Sequence, residues 1–315
     1  MLTYLVILLD DTSVSYCHYD TGRRERRLIP LDVLKRGIVW AMKENLNIQF
    51  VYPDYPLPED YRETVEMIDH MKIGPAACGE ALNVVVVDDL SDIEVELQTP
   101  FIWQCSLEEL DKQQERLKDV LRRVQRLNVM LTDVATWRQA DFDTYKAILE
   151  DLATFMAERY REGSVTQLNL LTDRLFLSAM NNCGAGDTSI TLAPDGRFYA
   201  CPAFYYSASP SIGSPESGLD IPNRQLYRLD HAPICRLCDA YQCRRCVWLN
   251  GELTGDANTP SHEQCVAAHL ERNASRQLQL ALQENDVSLE NSQEIKEIDY
   301  LDPFNIASKW KQERS

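Results

Sequence analysis

The stretch YLVILLDDTSVSYCHY, residues 4–19, places six apolar or aromatic residues directly before two aspartates. The run from Tyr4 to Leu9 has the length and composition of a buried strand. It is too short to cross a membrane, and it lacks the basic flank of a signal peptide. The pattern therefore predicts the first strand of a sheet, in a chain with no membrane partner.

Five further β-rich stretches follow within residues 1–176, and most are separated by segments of helical periodicity. They are Ile48–Tyr52, Leu82–Val87, Phe101–Cys105, Leu127–Leu131 and Thr166–Leu171. Alternating strands and helices predict a mostly parallel sheet with helices outside it. Six such units are too few for a closed eight-stranded barrel. We therefore expect an α/β fold with a partial (β/α)6-type barrel over residues 1–176.

The charge of the chain restricts its partners. The net charge is −17, and no long stretch is basic. Because binding to a phosphate backbone depends on Lys and Arg, this composition argues against a nucleic-acid partner. The missing signal peptide predicts a cytoplasmic protein, in which ten cysteines are poor candidates for disulfides. Clustered C-x2-C spacing predicts metal binding instead.

Seven of the ten cysteines lie in the second half of the chain. They are Cys183, Cys201, Cys235, Cys238, Cys243, Cys246 and Cys265. We expect residues 177–285 to form a small cysteine-rich metal-binding domain and residues 286–315 a charged tail. Two C-x2-C pairs four residues apart are closer than the pairs of a zinc ribbon, which favours iron–sulfur clusters. Zinc stays open, because thiolates bind both kinds of centre.

The segments CGAGDTSITLAPDGRFYACP (183–202) and ICRLCDAYQCRRC (234–246), with Cys265, resemble the SPASM domain of radical SAM peptide-modifying enzymes. The spacing Cys-x12-Gly-x4-Cys matches that pattern, whereas two later intervals are each one residue short. The six strand–helix units likewise resemble the radical SAM partial barrel. The resemblance implies one or two [4Fe–4S] clusters, with zinc as the alternative.

By position, the same resemblance assigns the cysteines to two centres. One centre would use Cys183, Cys201 and Cys246, and the other Cys235, Cys238, Cys243 and Cys265. The first centre would then lack one ligand. An open position of this kind suits a substrate cysteine, because a metal favours the deprotonated thiol.

The resemblance to radical SAM enzymes does not extend to the segment after the first strand. Radical SAM enzymes place C-x3-C-x2-C there, to hold the cluster that cleaves S-adenosylmethionine. In this chain the three positions are Asp10, Val14 and Cys17, so two of three thiolates are missing. We therefore expect no S-adenosylmethionine site and no radical initiation. Cys78 and Cys105 are expected to be buried structural cysteines.

The combination of NLLTDRLFLSAMNNCGAG (169–186), CPAFYY (201–206), PICRLCDAYQCRRCVWLN (233–250) and TPSHEQC (259–265) resembles the CXXX repeat peptide maturase family. This resemblance implies maturation of a ribosomally synthesised precursor peptide with Cys-x-x-x repeats, beside a companion radical SAM enzyme. Two alternatives stay open. One is a stand-alone iron–sulfur enzyme with redox or thiol chemistry, and the other is a zinc-stabilised structural or interaction protein.

Polar residues outside the cysteine set form a second group of candidates. Asp10, Asp11 and His18 follow the first strand, where sites of βα barrels lie. A pair of adjacent aspartates is more typical of a solvated turn, although it can bind a hard metal or a polar ligand. The pair Asp173 and Arg174 is expected to form an ion pair that closes the barrel, with substrate contact as the alternative.

Two further features lie near the cysteines. His231, His262 and His269 flank them, and His262 is the candidate substitute ligand because it lies close to Cys265. A helix-capping or surface role is the more ordinary interpretation of His262. The stretch 184–186, Gly-Ala-Gly, predicts a turn and not a nucleotide-binding loop, because β-rich residues follow it.

Overall fold

The apolar stretches of the first half form strands of one sheet. The computed structural model describes residues 1–22, 25–93, 99–287 and 289–304. The strands within them are β1 (Tyr4–Leu8), β2 (Asn47–Val51), β3 (His70–Gly74), β4 (Val84–Val87), β5 (Phe101–Cys105), β6 (Arg126–Leu131), β7 (Gln167–Leu168), β8 (Ser189–Leu192), β9 (Phe198–Tyr199), β10 (Gly213–Ser214) and β11 (Gly218–Leu219).

The large sheet has the order β7-β6-β5-β4-β3-β2-β1-β8-β9, and β10 pairs separately with β11. β1 lies parallel to β2 on one side, with Tyr4 opposite Asn47, and parallel to β8 on the other. β8 continues into β9 by an antiparallel hairpin, and Gly196 in its turn has a φ of 82°. The predicted α/β fold with a mostly parallel sheet is confirmed. The sheet also contains β3, β8 and β9, which are not among the six predicted strands.

Helices occupy the segments between most strands. They are α1 (Leu31–Lys43), α2 (Glu59–Glu66), α3 (Leu107–Lys112), α4 (Gln114–Leu121), α5 (Gln139–Arg161), α6 (Asn169–Phe176), α7 (Pro202–Tyr206), α8 (Val247–Thr254) and α9 (His262–Glu284). None of the helices within the described ranges is long and apolar enough to span a membrane. The segment 88–99 contains one short 3₁₀ turn at Leu90–Asp92, and residues 94–98 lie outside the described residues.

The sixth predicted strand is mostly helical. Only Gln167 and Leu168 pair in the sheet, and α6 begins at Asn169. The hydroxyl of Thr172 bonds to the carbonyl of Leu168 at 2.9 Å, which ties the first turn of the helix to the strand end. Asp173 and Arg174 therefore lie on a helix and not at the end of a strand.

Two compact units divide the chain, and both are discontinuous in sequence. The first comprises residues 1–87, 99–102 and 184–231, and the second comprises residues 88–98, 103–183 and 232–315. The predicted boundary at residue 176 does not coincide with this division, and a separate SPASM-like domain stays a prediction. Residues 288 and 305–315 of the predicted tail lie outside the described residues.

Each unit has its own apolar interior. In the first, Leu5 and Ile7 of β1 pack with Leu34 of α1 and Phe50 of β2 in one buried cluster. In the second, the long helices α5 and α9 pack together, and the hydroxyl of Tyr145 on α5 donates to Glu271 on α9 at 2.8 Å. Helix α9 begins with a capping box between Ser261 and Gln264. That cap fixes the turn that carries Cys265.

Candidate metal centre

Four cysteines of the second unit line one cavity. They are Cys235, Cys238, Cys243 and Cys265, and the cavity has a volume of ≈ 30 Å³. His269 and Asn250 belong to the same wall. Asn250 is fully buried, and its Oδ1 has no hydrogen-bond partner among the described residues. Buried polar atoms are rarely left without a hydrogen bond. The cavity thus combines thiols with an unsatisfied hydrogen-bond acceptor, as a binding site does.

Tight turns bring these cysteines together. Cys235 opens a single 3₁₀ turn, and the amide of Cys238 donates to the carbonyl of Cys235 at 3.2 Å. The amide of Cys243 likewise donates to Ala240 at 3.0 Å. The first C-x2-C pair thus spans one turn, a second turn ends at Cys243, and α9 supplies Cys265.

Asp239, next to Cys238, fixes this loop to two buried arginines. Its carboxylate accepts from Arg272, with Nη2 2.6 Å from Oδ2, and Arg272 is fully buried. The Nε of Arg174 donates to the carbonyl oxygen of Asp239 at 2.6 Å, and its guanidinium lies 4.3 Å from the ring centre of Tyr241. Both cations therefore have an anionic partner, as buried charges require.

Burial keeps the cavity thiols protonated in the absence of a metal. It raises the pKa of Cys235 to about 11, and it raises the pKa of Cys243 well above the ordinary thiol value. The pKa of Cys265 is raised by burial first and by the nearby Asp302, Cys235 and Cys238 next. A soft metal that binds here would displace these protons, because thiolates are the ligating form.

His269 is the histidine closest to these thiols. It is 1% exposed, its Nδ1 lies 2.8 Å from the carbonyl oxygen of Cys265, and its Nε2 lies 3.7 Å from Cys238 Sγ. Burial lowers the pKa of the imidazole, which favours the neutral ring. His262, the candidate substitute ligand, instead lies exposed at the start of α9. Its Nδ1 lies 2.6 Å from Asp302.

A half-buried acid, Glu271, lies two residues after His269 on α9. Glu271 accepts from the hydroxyl of Tyr145 at 2.8 Å and from the side-chain amide of Gln242 at 3.3 Å. Burial raises the pKa of this carboxyl to about 7. Its partner Gln242 also donates to the carbonyl oxygen of Ala268 at 2.6 Å, which connects the cysteine loop to α9.

The other three candidate ligands are distributed over both units. Cys183 and Cys246 belong to the second unit, and Cys201 belongs to the first, where it caps α7. Burial and the neighbouring Cys183 raise the pKa of Cys246 to about 12. Within the described residues, no group of three or more His, Cys, Asp or Glu side chains is arranged to hold one metal ion.

The end of β1, in the first unit, carries a buried hydrogen-bond network. Asp10 is fully buried, and its carboxylate accepts from the amide of Thr12 at 2.8 Å and the hydroxyl of Tyr55 at 2.9 Å. Its own amide donates to Ser13 Oγ at 3.0 Å. The expected solvated turn is therefore wrong, because partners from another loop cover the carboxylate.

Asp11 is also buried, at 7% exposure. Its Oδ2 lies 2.7 Å from Nε of Arg27, and its Oδ1 accepts a short hydrogen bond from the hydroxyl of Tyr205. Arg27 also donates to Tyr205 at 2.9 Å, which closes a three-membered network. Both aspartates thus form hydrogen bonds in the interior of the fold and do not face solvent.

Comparisons with known proteins identify solved structures of similar architecture. No protein-family model and no curated protein matches the chain. Native anSMEcpe with bound AdoMet, a radical SAM enzyme, aligns with a TM-score of 0.61 and 11% identity, over 90% of this chain and 100% of that one. With AdoMet and the Cp18Cys peptide bound, it aligns with a TM-score of 0.57 and 10% identity over the same shares. Streptococcus suis SuiB bound to its precursor peptide SuiA aligns with a TM-score of 0.46 and 11% identity, over 72% of this chain and 64% of that one.

The fold is radical SAM-like. In this fold, the positions that the resemblance assigns to the S-adenosylmethionine cluster are packed by other side chains. Asp10 bonds to Tyr55 and Thr12, and Val14 packs against the apolar cluster that includes Tyr205. Of the three positions, only Cys17 carries a thiol, and it is partly buried.

Three further features that the sequence singled out have structural roles. They are the Asp173 side chain, the buried cysteines Cys78 and Cys105, and the turn at 184–186. Asp173 accepts two hydrogen bonds of 2.9 Å from Arg126, and Arg174 pairs instead with Asp239, so each residue of the predicted pair forms an ion pair with a different partner. Cys78 and Cys105 are buried, as predicted. The amide of Thr188 donates to the carbonyl of Gly184 at 2.8 Å, which confirms the turn at 184–186.

Sequence reasoning missed the importance of His269. The spacing Cys265-x3-His269 contained the signal, because residues four apart lie on the same face of a helix. Applied to residues 261–285, which have helical spacing, this rule places His269 on the same helix face as Cys265. Proximity in sequence drew attention to His262, which lies three residues before Cys265 and begins the helix.

Proposed function

We propose that this chain takes part in the maturation of a ribosomally synthesised peptide with Cys-x-x-x repeats, as a metal-centre-bearing accessory or peptide-binding partner of a separate radical SAM enzyme. One observation carries the proposal. A chain with a radical SAM-like fold keeps four thiols around one cavity, yet fills the end of β1 with Asp10 and Tyr55. The cavity thus offers thiols for metal binding, whereas the end of β1 lacks two of the three thiols that radical initiation requires.

The proposed centres use the seven cysteines in two sets. Cys235, Cys238, Cys243 and Cys265 hold one centre, and their shared cavity and raised thiol pKa values support a ligand that displaces protons. The second set consists of Cys183, Cys201 and Cys246. The centres are iron–sulfur clusters, with zinc as the alternative.

The second set supplies the peptide site in this proposal. Three protein thiolates leave a four-coordinate centre one position short, and a bound metal stabilises an incoming thiolate and fixes its sulfur. Cys183 is exposed, so a peptide can reach this cysteine. The fold relative anSMEcpe has been solved with a peptide bound, and we propose the same kind of ligand for this chain.

The test measures peptide binding under anaerobic conditions. A fluorescent peptide with two Cys-x-x-x repeats is titrated with the wild-type protein, and a serine version of the peptide serves as the ligand control. We expect the cysteine peptide to bind at least about tenfold more tightly, since a thiolate–metal bond is lost in the serine version.

Two variants separate the roles of the cysteines. Cys183→Ala is expected to weaken binding of the cysteine peptide to the level of the serine peptide, whereas Cys17→Ala is expected to leave binding unchanged. If Cys183→Ala alters neither peptide binding nor metal content, the open-position account is wrong. Co-purification with a radical SAM maturase then distinguishes an accessory role from a stand-alone enzyme.

A further inference from the structure

His269 is held in the orientation of a metal-binding histidine. Its Nδ1 lies 2.8 Å from the carbonyl oxygen of Cys265, one helical turn earlier. A carbonyl only accepts, so Nδ1 carries the hydrogen and Nε2 of the neutral ring keeps its lone pair. Metal-binding histidines commonly donate their second ring nitrogen to a backbone carbonyl in this way, which fixes the tautomer and the ring orientation.

The second ring nitrogen accepts a hydrogen bond from a thiol of the cavity when no metal is bound. Nε2 of His269 lies 3.7 Å from Sγ of Cys238. A tetrahedral zinc ion with Zn–S of about 2.3 Å and Zn–N of about 2.0–2.1 Å holds its sulfur and nitrogen ligands about 3.6 Å apart. The observed separation therefore matches two ligands of one ion without movement of either side chain.

We propose that His269, through Nε2, and Cys238 bind the same metal ion. The inference rests on the proposed function only in that the cavity holds a metal. It adds a nitrogen ligand to a set that the sequence assigned to four thiolates. Cys235, Cys243 and Cys265 line the same cavity, but no three of the described His, Cys, Asp and Glu side chains are arranged around one ion, so these thiols have to move to complete the ligand set.

The size of the cavity agrees with this assignment. Its ≈ 30 Å³ is room for one or two water-sized groups. A single zinc or iron ion fits that space, and a two-iron cluster accepts two protein ligands on one iron. A four-iron cluster with one protein ligand on each iron would instead require the walls to move apart and would separate His269 from Cys238.

The test is X-ray absorption at the K-edge of the bound metal, on the full-length protein purified without oxygen. Its fine structure distinguishes sulfur from nitrogen neighbours, and an imidazole ring adds a recognisable scattering pattern. We expect the wild type to show a nitrogen ligand at about 2.0–2.1 Å beside sulfur at about 2.3 Å. His269→Ala should lose the imidazole pattern and bind the metal at least about tenfold more weakly.

Two variants control for folding and for other histidines. His262→Ala removes an exposed histidine from the same helix and should leave the spectrum unchanged. His269→Gln keeps a polar side chain in the cavity and should also lose the imidazole pattern. A sulfur-only spectrum in the wild type overturns the inference but leaves the proposed function standing. A folded protein that binds no metal overturns both.

Discussion

The guanidinium of Arg272 lies against the carboxylate of Asp239, with Nε 3.1 Å from both oxygens and Nη2 2.6 Å from one of them. Arg174 approaches the same carboxylate to 3.7 Å. Asp239 is therefore the anion between two buried cations, immediately after Cys238 in the chain. The position of the cysteine loop depends on this one side chain.

Asp239→Asn is expected to destabilise the protein strongly. The substitution leaves two buried guanidiniums without an anion, and removing one partner of a buried pair costs about 3–5 kcal/mol. The matched control is Asp230→Asn, because Asp230 pairs with Arg228 through side chains that are 57% and 49% exposed. The control should unfold close to the wild-type urea midpoint, because exposed ion pairs contribute little to stability. Equal losses in urea unfolding would contradict the role given to Asp239.

Tyr55→Phe is expected to lower the free energy of unfolding by about 1.5–3 kcal/mol, because a buried carboxylate loses a hydrogen bond. The affected group is the Asp10 carboxylate, whose other hydrogen-bond partner among the described residues is Thr12. Tyr4→Phe serves as the control, since Tyr4 is 39% exposed. Urea titrations of the three proteins measure the difference. A Tyr55→Phe protein as stable as the control would show that the network does not fill the end of β1.

The protein is expected not to cleave S-adenosylmethionine. Two of the three cluster-binding thiols are absent, and Asp10 and Val14 stand in their places. The measurement is 5′-deoxyadenosine formed after anaerobic reconstitution with iron and sulfide, with dithionite as reductant. The expected amount equals that of a reaction without protein. Production that depends on Cys17, and is lost in Cys17→Ala, would refute the account.

Glu271 is expected to make stability fall as the pH rises from about 4.5 to about 7. Burial raises the pKa of this carboxyl from 4.5 to about 7, so the folded state binds a proton that the unfolded state releases. Each unit of pKa difference corresponds to about 1.4 kcal/mol, so up to about 3 kcal/mol is lost across this window.

Glu271→Gln tests this dependence, because the amide keeps the size and the acceptor oxygen but does not titrate. We expect the stability difference between wild type and variant to shift in favour of the variant as the pH rises, and to level off above about pH 7. Parallel stability–pH curves for the two proteins would mean that the carboxyl ionises alike in both states.

The sequence predicted those strands that consist of apolar runs. Tyr4–Leu8 and Val84–Val87 are examples, and both lie within their predicted stretches. The strand His70–Gly74 was missed because only Ile73 and Gly74 are buried, so the segment contains no apolar run. Backbone pairing determines its place between β2 and β4, and such pairing cannot be recognised from amino-acid composition.

The sequence identified the cysteines that line the cavity but not the residues that surround them. Cysteine spacing identified Cys235 and Cys238 because C-x2-C forms a turn by local geometry. The burial of Asp11 was not predictable, since Tyr205 lies 194 residues away in the chain. The position of His269 was partly predictable, because its spacing from Cys265 places both residues on one face of a helix once the helix is recognised.

The metal content of anaerobically purified protein tests the central claim most directly. We predict that the wild type and Cys78→Ala, which removes a buried cysteine of the first unit, carry iron or zinc at one or more ions per chain. The double variant Cys238→Ala/Cys243→Ala should lose the metal of the cavity, as measured by mass spectrometry of the bound metals. A folded wild-type protein without metal, or a double variant with undiminished metal, would contradict the account.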